Sequence, residues 1–320
     1  MAKIGVLYGM EESFPPALVD RINQIAPRGV VAEHLKTGET RMAQPAGYDL
    51  IVDRISHDIP FYRSYLKNAV LTGTEVINNP FWWSADDKFF NYSLAAKLGV
   101  AVPRTVLLPH KEHPPGTTDR SMRNLQFPLN WDSIFEYVGF PAFLKPHDGG
   151  GWKNVYHVHS PEEFFRAYDE SGRLCMTLQA AVKFDQYFRC YVIGQKKVHV
   201  MRYDPGQPFH FRYVAGNPPP DRALAERIVR DSITLCRALG YDLNTVEFAV
   251  EDGVPYAIDF MNPAPDAGLE SVGPANFQWI VDAVAELSID RATRHSSAAQ
   301  ADVWSSFLFS RQAVSEAAGS

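Results

Sequence analysis

Cysteine is scarce: Cys175, Cys190 and Cys236 are the three in 320 residues. An odd number with no CxxC pair argues against a disulfide framework and against the usual zinc spacing. No window reaches the roughly 18 apolar residues that a membrane span needs. The opening MAKIGVLYGM holds one lysine and a short apolar run before Glu11 and Glu12, which predicts a β-strand and not a secretory leader. Basic excess is missing as well, with a net charge of −6. Binding of nucleic acid through phosphate neutralisation calls for a basic face, so no nucleic-acid partner is expected. There is no internal repeat, no GxxxxGK[ST] loop before a helix, and no Ser-His-Asp or Cys-His set for covalent catalysis. Taken together, these absences predict a cytoplasmic protein with no membrane partner.

What is present describes a folded chain. Hydrophobic residues make up 46% and charged residues 21%, outside the range of disordered sequences. The length suits one to three packed units. Aromatics are plentiful, with 20 Phe, 14 Tyr and 6 Trp. They fill a core, line a cleft, or do both.

Strand-like and helix-like segments alternate. Strands are predicted at 3–8, 30–35, 49–53 and 75–77, with helices at 16–25 and 61–71 between them. That βαβ rhythm indicates a small parallel sheet in a first lobe, residues 1–80. A second lobe, 81–182, opens with a helix over 86–98. It continues with an extended segment at 101–108, a Pro-rich loop at 109–130, helices at 131–138 and 161–168, and strands at 141–145, 155–158 and 176–181. A third lobe, 183–295, has a hairpin (187–193 and 197–202) turning at Gly194-Gln195 and a long helix over 222–239. A second hairpin (245–250 and 255–260) turns at Glu251-Asp252-Gly253, and a helix follows over 277–287. A Ser/Ala-rich tail, 296–320, is expected to fray. The fold class is α+β with an α/β front lobe.

Four constellations carry chemistry. In Phe143-Leu144-Lys145-Pro146-His147-Asp148-Gly149-Gly150-Gly151-Trp152, a strand ends on a lysine and a triple-glycine loop follows. Glycines let backbone N–H groups approach a polyphosphate, and the lysine adds charge; a plain hairpin turn is the alternative. Pairing of the two strands of the second hairpin would place Glu247 and Asp259 near each other at one end, with Asn262 just beyond. Two carboxylates and an amide oxygen suit Mg²⁺ bridging ATP phosphates, and two solvent-facing strand acids are the alternative. Arg189 and Arg202 sit on the two strands of the first hairpin among apolar groups. Each needs an anionic partner, either a ligand or Asp185 or Asp204. In Ser84-Ala85-Asp86-Asp87-Lys88, Ser84 or Asp86 caps a helix, whereas Lys88 is out of place at the positive end of a helix dipole unless a phosphate lies near.

In this order the segments resemble the ATP-grasp superfamily, nearest its glutathione-synthetase-like and peptide-ligase-like carboxylate–amine ligases, over about residues 3–290. The stretches that carry the resemblance are NNPFWWSADDKFFNYSLAAKLGVAVPRT, GFPAFLKPHDGGGWKNVYHV, FRCYVIGQKKVHVMRY and VEFAVEDGVPYAIDFMNPAPDA. The resemblance implies that Lys88 and Lys145 contact ATP phosphates under the Gly149, Gly150 and Gly151 loop. It implies that Gln179, Ala180, Ala181 and Val182 form the hinge along the adenine edge, with Asp185 toward the ribose. Arg189 and Arg202 would steady the transferred phosphoryl group alongside Lys145. Glu247, Asp259 and Asn262 would hold Mg²⁺ or Mn²⁺. The chain departs from the family's pattern at four places. Asn262 lies three residues after Asp259 instead of two, Tyr187 replaces an Asp, Gln179 replaces a frequent acid, and the loop carries Trp152.

The implied reaction is ADP-forming amide ligation through an acyl phosphate, between a small-molecule or peptide carboxylate and an amine. A small-molecule kinase of the same fold and a non-catalytic ATP-binding module are the alternatives. Relatives often dimerise through the front lobe, so a homodimer is a further expectation. For the substrates the sequence offers Arg54 and His57 after a front-lobe strand, then Arg212, Asp266, Glu270 and Ser271. A strand-end salt bridge and a surface histidine are the alternatives for the first two. Trp82, Trp83, Trp152, Phe209 and Phe211 border the motifs and favour a partly apolar substrate.

Overall fold

The structure, a computed structural model, describes residues 1–208, 211–213 and 220–294. The tail at 296–320, Phe209 and most of the loop at 215–220 lie outside the described residues. Three four-stranded sheets organise the chain. No helix among the described residues is long and apolar enough to cross a membrane.

The front sheet runs β2-β1-β3-β4, from β1 (Ala2–Leu7), β2 (Val30–His34), β3 (Leu50–Asp53) and β4 (Glu75–Ile77), all parallel. Leu50, Ile51 and Val52 are all fully buried, as expected of a parallel sheet covered on both faces. Helix α1 (Phe14–Ile25) covers one face through Leu18, Val19 and Ile22, and α2 (Pro60–Leu71) the other through Leu66 and Ala69. Each helix has a proline in its first turn, where a missing N–H costs nothing.

A connector, α3 (Pro80–Trp83), leads into α4 (Lys88–Lys97). Helix α3 is a single turn, too short for sequence periodicity to reveal. The residue that caps α4 is Asp87, which accepts from the Phe90 N–H at 2.7 Å, and not Ser84 or Asp86.

The central sheet runs β5-β8-β6-β7, from β5 (Thr105–Leu108), β6 (Ala142–Pro146), β7 (Tyr156–Val158) and β8 (Met176–Ala180), all antiparallel. Helices α5 (Trp131–Val138) and α6 (Pro161–Ser171) cover it. Much of the aromatic excess is spent in this core, where Trp131, Phe135, Phe164 and Tyr168 pack ring against ring.

The third sheet runs β10-β9-β11-β12, from β9 (Gln186–Ile193), β10 (Lys197–Arg202), β11 (Leu243–Glu251) and β12 (Val254–Asp259). Both hairpins turn on two residues of positive φ, Gly194-Gln195 (60° and 58°) and Asp252-Gly253 (50° and 73°). Such primed turns match the twist of their strands. Helix α7 (Arg222–Leu239) packs on one face, against Phe188, Val192, Val246 and Phe248.

The other face is shared. Tyr191, Ile193 and Leu243 join one core with α9 (Pro274–Thr293), α1 and the front sheet. The last described helix therefore fastens the front lobe to the third sheet. Asn78 strengthens that junction. Its buried amide donates to the Leu243 and Pro263 carbonyls at 2.7 and 2.9 Å and accepts from the Asp242 and Leu243 N–H groups at 2.8 Å each. A further short helix, α8 (Leu269–Val272), precedes α9.

Candidate functional site

The Tyr187, Glu247 and Ala249 end of the third sheet's shared face and the two inner strands of the central sheet, β6 and β8, enclose a cleft, with the loop after β6 as its rim. Lys145 lies near the end of β6 and reaches into it. Gly149 and Gly151 have φ of 77° and 68°, followed by Trp152 at 61°. A Cβ on either glycine would meet no neighbour, so backbone conformation and not crowding calls for glycine there. Lys88, the first residue of α4, donates through Nζ to the Gly149 carbonyl at 2.6 Å, and its own N–H bonds the His147 carbonyl at 2.7 Å. The two lysines and the loop thus come together although 57 residues separate the lysines in the chain.

Lys145 is half-buried. Its ammonium donates to Tyr92 Oη at 2.7 Å and to Gln179 Oε1 at 2.8 Å. Burial pushes its pKa down to about 8, against the pull of Asp259 and Glu247. The sequence signal for Tyr92 is its spacing, four residues after Lys88 on the same helical face.

The opposite wall carries the acids. A bulge between Glu247 and Phe248 sets Phe248 opposite Ala257 but Glu247 opposite Asp259. Ile258 is the extra residue. Without this register shift Glu247 would face Ile258, and the two carboxylates would not be paired. The Glu247 carboxyl is raised above its ordinary pKa by burial, with Asp259 adding to the effect and Arg189 opposing it. Tyr187 donates its hydroxyl to Glu247 Oε2 at 2.6 Å.

Two half-buried carboxylates side by side form a hard oxygen set that fits a divalent cation. Asn262 stands at the strand end. Its Nδ2 donates to the Thr245 carbonyl and its backbone N–H to Asn244 Oδ1, both at 3.1 Å. The nitrogen end is therefore tied to the protein, and the oxygen end is the one left to offer. Among the described residues no third acid, histidine or cysteine completes a cluster there.

The arginines separate. Arg189 faces Glu247 in register, with its Nε 3.5 Å from Oε1, its Nη2 3.3 Å from Thr245 Oγ1, and the Tyr203 ring beneath it. Its partner is thus Glu247, not Asp185 or Asp204. Arg202 lies opposite Phe188 and so points to the α7 face, where it bonds Gln186 Oε1 at 2.7 Å. Strand alternation puts Arg189 and Arg202 on opposite faces of one sheet, so the two do not converge. The second guanidinium near the acids is Arg212. It donates to the Gln207 carbonyl at 3.0 Å, lies 3.5 Å from the Tyr203 hydroxyl, and favours the charged form of Glu247.

Gln179, Ala180 and Val182 line the cleft. Ala181 turns its N–H to the Pro141 carbonyl at 3.0 Å. Asp185 is exposed and lies off the cleft lining, with its N–H bonded to the Val250 carbonyl. Trp152 is an exposed rim residue, and Phe211 and Trp82 are exposed too, whereas Trp83 is buried in the α7 core.

Arg54 is not open to a ligand in the way the sequence suggested. It is buried, and Glu11 takes it in a two-pronged pair at 2.9 and 2.5 Å. Its Nη2 also reaches the Pro265 carbonyl at 2.6 Å, and Nη1 alone is left without a partner. The strand-end salt bridge is the outcome here, with a partner 43 residues away that no local pattern could supply. His57 is half-exposed, 3.6 Å from Asp58. Asp266 is engaged by Ser271 and the Gly268 N–H, and Glu270 is exposed.

No family model and no curated protein sequence matches the chain. Solved structures do match in fold. A D-alanine–D-alanine ligase from Bacillus anthracis, complexed with ATP, aligns with a TM-score of 0.61 at 16% identity, over 92% of this chain and 98% of its own. A RimK domain ATP-grasp protein from Sphaerobacter thermophilus aligns at 0.60 and 16%, over 91% and 99%. The ATP-grasp ligase PsnB, complexed with a minimal precursor, Mg and ADP, aligns at 0.58 and 13%, over 91% and 98%.

Proposed function

With the ATP-grasp fold as premise, we propose that this chain is an ATP-dependent carboxylate–amine ligase that releases ADP and phosphate. The observation that carries the reading is the make-up of one cleft: Lys88, Lys145 and a glycine loop on one wall, and the Glu247–Asp259 pair with Arg189 on the other.

In this reading the substrate carboxylate attacks the γ-phosphorus of ATP, and the bond to the bridging oxygen breaks to release ADP. The amine then attacks the acyl carbon, phosphate departs, and the amine proton passes to solvent. No protein nucleophile is required. Lys88 and Lys145 hold the phosphates and offset their charge, while the loop at 149–151 excludes water above them. Arg189 and Arg212 stand beyond the acids, where charge builds on the transferred group. Glu247 and Asp259, with the Asn262 oxygen, would hold Mg²⁺ or Mn²⁺. When bound, that ion neutralises phosphate oxygens and orients the γ-phosphoryl group.

The test is turnover with ATP, Mg²⁺ and a panel of amino-acid and dipeptide carboxylates, with hydroxylamine as the amine. The expected products are ADP and a hydroxamate. AMP and pyrophosphate would refute acyl-phosphate chemistry. ADP with a phosphorylated hydroxyl and no hydroxamate would mark a kinase.

A further inference from the structure

Gln179 lies on β8 within the cleft wall, where a hinge residue reads the edge of a nucleobase if its amide is free. It is not free. Its Nε2 donates to Thr105 Oγ1 at 2.8 Å, and its Oε1 accepts from Lys145 Nζ at 2.8 Å. The direction of this relay is settled by Thr105. That hydroxyl spends its only hydrogen on the Pro103 carbonyl at 2.9 Å, so toward Gln179 it can only accept. The NH₂ end of the amide must therefore face Thr105, and the oxygen must face Lys145.

The same logic holds on the other side of the ammonium. Tyr92 gives its hydrogen to the Ile258 carbonyl at 2.7 Å, so toward Lys145 it too can only accept. Two of the three ammonium hydrogens thus go to two neutral oxygens, each locked as an acceptor from behind. The third hydrogen is left for the cleft, and among the described residues no carboxylate bonds Lys145 to cancel its charge.

We propose that Gln179, clamped by Thr105, is a positioning residue that holds Lys145 aimed and uncompensated for the nucleotide's phosphates, and that it takes no part in reading the base. This rests on the reading of the cleft as an ATP site. An acid in the same place would pair with Lys145 and offset the charge that the phosphates need. Gln179 orients the ammonium without offsetting it.

The experiment compares ATP with adenosine. Binding is followed by Trp152 fluorescence or calorimetry in the wild type, Gln179→Leu and Thr105→Val. The second variant is nearly isosteric, and its target bonds Gln179 but not Lys145. Once its anchor is gone, the Gln179 amide can flip and present its NH₂ group to the ammonium. Both variants are expected to weaken ATP by about ten- to hundredfold, the range for one hydrogen bond to a charged group, with adenosine held within about twofold. In a Lys145→Met background, Thr105→Val is expected to change ATP affinity by less than about twofold, because the group it acts through is gone. Equal loss of ATP and adenosine in Gln179→Leu would overturn the proposal, since the amide would then be reading the base. Unchanged ATP affinity in Thr105→Val would overturn it as well. A wild type that binds neither ligand would instead defeat the ATP-site reading, and the proposal with it.

Discussion

Arg54 and Glu11 make unequal partners, and the inequality can be measured. The Arg54 side chain is 1% exposed, while that of Glu11 keeps 29% of its exposure. Replacing Arg54 by Met leaves a carboxylate that water can partly reach again. It also orphans the Pro265 carbonyl. The expected loss is about 3 kcal/mol, the low end for a broken buried pair. Replacing Glu11 by Leu strands a guanidinium with no access to water, and should cost about 5 kcal/mol, at the high end. The double variant leaves no charge behind. It is expected to lose about 3 kcal/mol, so it is more stable than Glu11→Leu alone, which makes the coupling between the sites about 5 kcal/mol. Unfolding in urea, followed by circular dichroism, gives the four stabilities, and ATP affinity should stay within about twofold in all of them. The reasoning fails if Glu11→Leu is no worse than Arg54→Met. It fails too if Arg54→Met keeps wild-type stability and instead raises the KM of a carboxylate substrate, since Arg54 would then be a ligand group and not a fastening between lobes.

Tyr187→Phe removes the hydroxyl that donates to Glu247, and the Mg²⁺ concentration giving half-maximal ADP formation is expected to rise about threefold to tenfold. Lys145, with its pKa near 8, is charged below that pH and neutral above it. The kcat/KM for ATP should therefore fall as pH rises through about 8, and Lys145→Arg should hold its level to about pH 10 if it binds ATP at all. Asn78→Ala strips the junction between the front lobe and the third sheet of its hydrogen bonds, and is expected to cost about 2–4 kcal/mol in unfolding experiments.

Local pattern carried most of the secondary structure. The apolar runs of β1 and β3, the proline-led helices α1, α2 and α6, and the two-residue turns at 194–195 and 252–253 all rest on chemistry within a few residues. The motifs could be read for the same reason: a lysine before three glycines, and acids on the two arms of a hairpin, are local patterns. The misplacements came where the outcome depends on a partner far along the chain. Arg202 resembled a site residue, but strand alternation turned it toward α7. Arg54 resembled a ligand group until Glu11 closed on it.

The sequence by itself determined the order of most elements and which residue types were available to line the cleft. Only the tertiary structure decided which of them meet. The bulge at Ile258 brings Asp259 opposite Glu247, and β9 presents Arg189 to that pair. Tyr92, on a helix packed into the core of the third sheet, and Gln179, on a strand of the central sheet, converge on one ammonium. Register, bulge and lobe packing are set by the burial of whole faces, and that burial is a property of the assembled sheets that no short stretch of chain contains.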